Sequence, residues 1–152
     1  MRTHRVATIA LALASLGGST ARAADALQYT VDKSTYSVPA SLTGVPGDPD
    51  RGRVLAVGRK KGNCLACHQM PIPEESFHGR IGPPLNGVAS RYDAGQLRLR
   101  VVNPKLVNPM TIMPAFYAIE GLHRVAKDFE GKTILSGQEI EDVVAYLETL
   151  KN

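Results

Sequence analysis

Gly62-Asn63-Cys64-Leu65-Ala66-Cys67-His68 decides how the rest of this chain is read. Two thiols separated by two residues and followed at once by an imidazole match the pattern in which both cysteines add to the vinyl groups of a haem while the histidine takes the iron from one face. Other chemistries also use Cys-x-x-Cys. A dithiol redox couple wants a strand-to-helix setting, and a zinc site wants two further Cys or His ligands at close spacing. The chain has two cysteines in 152 residues, and its remaining histidines, His4, His78 and His123, are scattered. The stretch therefore predicts one haem c, attached through Cys64 and Cys67, with His68 as an iron ligand.

The face of the iron opposite His68 needs a second ligand, and the sequence offers Met70, Met110, Met113, His78 and His123. Met70 is two residues beyond the histidine and cannot cross the ring. Met113 is the expected ligand, with Met110, His78, His123 and an open iron position as the alternatives. Met113 lies 45 positions beyond His68, enough chain to pass around the porphyrin edge, and Pro114 removes a backbone donor and stiffens the loop that presents the sulfur. A thioether favours ferrous iron and raises the potential, which suits an electron acceptor.

Upstream, residues 1–23 read as a secretory leader. Arg2 and Arg5 precede an apolar run from Val6 to Leu16, and Ala21-Arg22-Ala23 has the small-x-small form of a cleavage site. The run is short of the ~20 residues that a bilayer demands, so no membrane span is expected and the mature protein is expected in the periplasm. The chain carries 18 basic and 14 acidic side chains; three arginines leave with the leader and no acid does, so the mature chain is left at +1. That balance gives no reason to expect nucleic acid as a partner. Residues 24–47 form an extended N-terminal arm, because Leu27, Tyr29 and Val31 alternate with polar residues and Pro39, Gly44, Pro46 and Gly47 then break any regular element. Its apolar content leaves two readings open, a mobile tail and an arm packed on its own domain or on a partner.

The globular domain spans 48–152. Asp48-Pro49-Asp50 starts a helix, Val54, Leu55 and Gly58 give it a face, Arg59, Lys60 and Lys61 suit its C-terminal end and Gly62 stops it. Seven prolines and glycines between Gln69 and Ser90 make a loop around the histidine side. Asp93 and Gln96 open a second helix, with Leu97 and Val101 on one face and Pro104 at its end. Partial helix is expected over Ala115 to Glu130. Ser136 and Glu139 form a capping box before a last helix whose stripe is Ile140, Val143, Val144, Leu147 and Leu150, and the first helix is its expected partner.

In this order the parts resemble the class I cytochrome c fold, all-α and wrapped around one covalently attached haem, over Asp48 to Lys151. More narrowly, the attachment stretch continued through Gln69-Met70-Pro71, then Ile81-Gly82-Pro83-Pro84-Leu85, Arg100-Val101-Val102-Asn103-Pro104, Thr111-Ile112-Met113-Pro114-Ala115-Phe116-Tyr117 and the acidic terminal helix resemble the SoxX family. That family is the monohaem subunit of the SoxAX complex of bacterial sulfur oxidation. The resemblance implies that Cys64 and Cys67 form the thioethers, that His68 and Met113 are the proximal and distal ligands, and that the Pro83 carbonyl accepts the proximal imidazole proton. It implies Arg91 near a haem propionate. It also implies a SoxA partner, a possible third small subunit, and a reaction, that of an L-cysteine S-thiosulfotransferase, in which thiosulfate is joined oxidatively to a cysteine of the SoxYZ carrier. With both cysteines consumed and both iron faces occupied, this chain would accept electrons and pass them to a downstream cytochrome, leaving the thiol chemistry to SoxA. A freely diffusing periplasmic electron carrier is the alternative, and a haem sensor or peroxidase would need an exchangeable iron position.

Overall fold

The computed structural model describes residues 27–152, so the leader expected over 1–23 lies outside the described residues. The first helix, α1 (Pro49–Val57), begins where the local chemistry puts it: the Asp48 carboxylate accepts from the backbone N–H groups of Asp50 and Arg51, and Pro49 takes the first position. The predicted face packs only in part: Leu55 lies against the core, but Val54 does not. Val54 is 67% exposed, whereas Gly52 and Ala56, one turn apart, are buried. The cause is the partner helix, since a Cβ on Gly52 would lie 1.9 Å from the Asp142 carbonyl oxygen. Glycine lets the two backbones meet there, and the branched side chain at 54 is turned away.

The first helix also ends earlier than expected. Gly58 caps it in extended backbone, and the chain turns back so that the Asn63 N–H donates to the Leu55 and Gly58 carbonyls (3.3 and 3.1 Å), which helps to satisfy the open helix end. Arg59, Lys60 and Lys61 therefore occupy a turn and not the last helical turn; Lys61 forms an ion pair with Glu139.

The second helix, α2 (Ala94–Val102), carries the expected Asp93/Gln96 capping box and buries Leu97 and Val101. The last, α3 (Gly137–Thr149), starts with the reciprocal Ser136/Glu139 box, and all five residues of its predicted stripe are buried. Both α1 and α2 pack on α3. Together with Leu65, Ile72, Val88 and Phe116 from the connecting segments they close a single apolar core. Among the described residues there are three α-helices and no strand, as the all-α reading expects.

Between Ala115 and Glu130 the expected helix reduces to one 3-10 turn, Lys127–Phe129. Two features prevent more. Phe116 and Tyr117 spend their N–H groups on the carbonyls of Val101 and Val102, and Gly121 and Arg124 stand at φ +67° and +57°, in the left-handed region that interrupts helical hydrogen bonding.

The segment 27–47 is docked on its own domain. Val38 is fully buried, donating its N–H to the Gly95 carbonyl (2.9 Å). Behind it Arg98 makes a bidentate pair with Glu141 (2.9 Å twice) and donates to the Val38 carbonyl (2.7 Å), while the Leu42 N–H donates to Glu141 (2.8 Å). One buried ion pair thus ties α2, α3 and the arm together. Among the described residues no helix is long and apolar enough to cross a membrane.

Candidate functional site

The turn that leaves α1 delivers the two thiols. Asn63 adopts the left-handed conformation and starts a 3-10 turn over Cys64–Ala66, and the N–H groups of Cys67 and His68 both donate to the Cys64 carbonyl (3.1 and 2.9 Å). Leu65 anchors the turn in the core, while Cys64, Cys67 and His68 stay half-buried at its edge. Before haem is attached, burial pushes the Cys64 thiol up to about 11.

The proline-rich loop is laced to this turn through its few available donors. Gly79, Gly82 and Leu85 donate to the carbonyls of Leu65, Cys67 and Gln69, each at 2.8 Å. The consequence falls on His68, whose Nδ1 lies 2.7 Å from the Pro83 carbonyl oxygen. A carbonyl can only accept, so the proton is on Nδ1 and the Nε2 lone pair is left for a metal. Gly82 is pressed against the ring: a Cβ there would lie 2.3 Å from the His68 Cε1. The imidazole is thereby fixed both in tautomer and in direction.

Arg91 is exposed and donates to the Asn86 and Pro84 carbonyls (2.9 and 2.8 Å). These lie just beyond Pro83, in a stretch where two successive prolines can offer no backbone donor of their own.

The candidates for the second ligand separate clearly. Met70 is buried in the core at 3% exposure, in keeping with its exclusion on reach. His78 uses both ring nitrogens inside its own loop, Nδ1 accepting from the Met70 N–H (3.1 Å) and Nε2 donating to the Ile72 and Glu75 carbonyls (3.2 and 2.9 Å). His123 is exposed, and Met110 is 86% exposed. Met113 is half-buried against the core. Its N–H donates to Thr111 Oγ1 (3.2 Å), and its carbonyl accepts from Lys105 (3.2 Å).

Sequence reasoning missed Lys105 and the pressure of Gly82 on the imidazole. Neither leaves a local signal, because Gly82 meets the side chain of a residue 14 positions back and Lys105 reaches backbone carbonyls of an irregular loop. The donor set as a whole, two thiols, an imidazole with a free Nε2 and a thioether on a separate loop, fits a covalently attached haem.

A three-helix fold with this attachment turn defines a c-type cytochrome. Residues 50–151 match the model of the cytochrome c family, and the chain belongs to that family; it carries haem c attached through Cys64 and Cys67. In structure it is similar to a chain of the crystal structure of SoxXA from P. pantotrophus, at 42% identity and a TM-score of 0.74, over 82% of this chain and 95% of that one. The likeness to SoxX drawn from the sequence is thereby borne out. It is also 33% identical over 129 residues to an uncharacterized lipoprotein of Aquifex aeolicus (strain VF5), covering 76% of this chain. The chain spans 55% of the length of that relative.

Proposed function

We propose that this chain is the electron-accepting and electron-relaying monohaem subunit of a SoxAX-type complex. The observation that carries the proposal is the likeness to the SoxXA chain at 42% identity over nearly the whole of that chain. In the reaction the SoxAX resemblance implies, a sulfur–sulfur bond forms between thiosulfate and a cysteine of the SoxYZ carrier, the thiol loses its proton and two electrons depart. The haem, when bound, takes up and passes on one electron at a time.

What the chain's own residues do follows from their geometry and chemistry. Cys64 and Cys67 are both used as thioethers, so no thiol of this chain is left to carry sulfur. His68 offers Nε2 to the iron, with Nδ1–H held by Pro83, a bond that raises the basicity of the ligand and stops it rotating. Met113 would supply a thioether as the second protein ligand. Arg91 is assigned to a propionate. With two protein ligands the iron would offer no position to substrate, which would leave bond formation to a SoxA-type partner and make the whole complex, not this subunit, the L-cysteine S-thiosulfotransferase. The proposal includes export to the periplasm with removal of 1–23, an arm over 24–47 and a cytochrome domain over 48–152, and leaves room for a third small subunit and a downstream cytochrome acceptor.

Co-purification tests it. A C-terminally tagged chain recovered from periplasm of cells grown on thiosulfate is expected to bring a stoichiometric second cytochrome of SoxA type. Recovery of the chain alone, with its haem cycling between other redox enzymes, would establish the freely diffusing carrier instead.

A further inference from the structure

The tip of the loop that carries Met113 has little to hold it in place. Met110 and Ile112 are 86% and 77% exposed, so apolar burial contributes little along its tip. Among the described residues the backbone N–H groups of Asn108, Met110 and Thr111 make only short-range bonds: Asn108 to the Pro104 carbonyl (2.9 Å), Thr111 to the Asn108 carbonyl (3.1 Å) and Met110 to Asn108 Oδ1 (3.0 Å). Pro109 and Pro114 have no donor to give.

One side chain from outside the loop grips it. Lys105 lies in the 3-10 turn Pro104–Leu106, directly after α2, where the Asn103 side chain accepts from its backbone N–H (3.2 Å). Pro104 beside it is buried, so the lysine springs from a fixed base. Its Nζ donates to the Thr111 carbonyl (3.0 Å) and to the Met113 carbonyl (3.2 Å). Among the described residues no carboxylate lies within 4.0 Å of the ammonium, and the group is half-buried. Its charge is therefore spent on backbone oxygens, one of them belonging to the ligand residue itself.

We propose that Lys105 is a positioning residue for the distal ligand: its ammonium bridges the Thr111 and Met113 carbonyls and thereby holds the Met113 thioether on the iron. The inference rests on Met113 being that ligand. The two bonds are charge-assisted and partly desolvated, the setting in which a hydrogen bond contributes most. Loss of the ammonium frees the tip of the loop, and an external ligand then competes more effectively for the iron. Arginine can keep the clamp because it retains a permanent cation with several donors, whereas methionine keeps only the apolar stem.

The test uses the ferric holoprotein and imidazole as the competing ligand, with the thioether-to-iron charge-transfer band reporting Met113 directly. Lys105→Met is expected to bind imidazole roughly tenfold more tightly than the wild type, the scale set by one charge-assisted hydrogen bond, and Lys105→Arg is expected to return most of the way. Wild-type imidazole affinity in Lys105→Met, in a protein whose band is lost in Met113→Ala, would overturn the clamp while leaving Met113 as the ligand. A band absent from the wild type, or surviving Met113→Ala, would overturn the ligand assignment and the clamp with it. If Lys105→Met does not accumulate with haem, Lys105→Gln takes its place: one neutral donor is expected to give an affinity between wild type and tenfold, and wild-type affinity there counts against the clamp in the same way.

Discussion

The Asp142 carboxylate is nearly out of solvent and still carries its charge, because donors from three directions reach it. Arg51 donates from Nε and Nη2 (2.8 and 2.9 Å), the Asp48 N–H approaches at 2.8 Å and Gln138 at 3.2 Å. The hydrogen bonds from Arg51, against the opposing cost of burial, hold its carboxyl below the usual carboxylate range. A group with a depressed folded value stabilises the fold above its unfolded value, about 4, and loses that contribution as the pH falls through the folded value. Asp142→Asn is therefore expected to lower the thermal midpoint of the holoprotein at neutral pH, with the gap to the wild type closing below about pH 4. Parallel melting curves over that range would show that the carboxylate charge is not involved.

Single residues also mark how far the site is legible without the fold. Cys64, Cys67 and His68 are readable because one turn of chain must present all three to one porphyrin, which fixes their spacing. Pro83 is different, since nothing in its neighbourhood says that its carbonyl faces an imidazole 15 residues back; the resemblance to a family supplied that role. Lys105 is silent in sequence because its partners are carbonyls of an irregular loop, and every residue has a carbonyl.

At the scale of elements, the Arg98–Glu141 pair is the joint on which the arm depends. It is buried on both sides, with side chains 8% and 5% exposed, and it offers one oxygen to the Leu42 N–H and one nitrogen to the Val38 carbonyl. Removing one partner leaves the other charged and unpaired in the interior, at a cost of about 3–5 kcal/mol. Arg98→Met is expected to lose that order of stability and to release the arm, so that limited proteolysis cuts between Val38 and Asp48 many times faster than in the wild type. Unchanged cleavage would mean that Val38 and the Tyr29–Tyr117 ring contact hold the arm without the pair. Helices α2 and α3 were legible because a capping box is a four-residue signal. The face and end of α1 were not, because they are decided by how closely the α3 backbone approaches Gly52 and by where the chain must turn to reach Asn63. The failed helix over Ala115 to Glu130 has the same origin: Phe116 and Tyr117 answer to α2, a partner that local propensity cannot see.

Across the whole molecule, a docked arm changes what can be inferred from its presence. Packed on α2 and α3, it completes this chain's own core and so does not by itself require a partner. The weight of the subunit proposal rests instead on the likeness to the SoxXA chain and on the use of both cysteines of this chain in haem attachment. That division of labour can be observed directly by mixing the oxidised holoprotein with a SoxA-type partner, SoxYZ and thiosulfate and following reduction of the haem at Cys64 and Cys67. Reduction that requires all three additions is the expected result. Reduction by thiosulfate alone, or none with the full set present, would contradict the role of this chain as the electron acceptor of a reaction carried out on its partner.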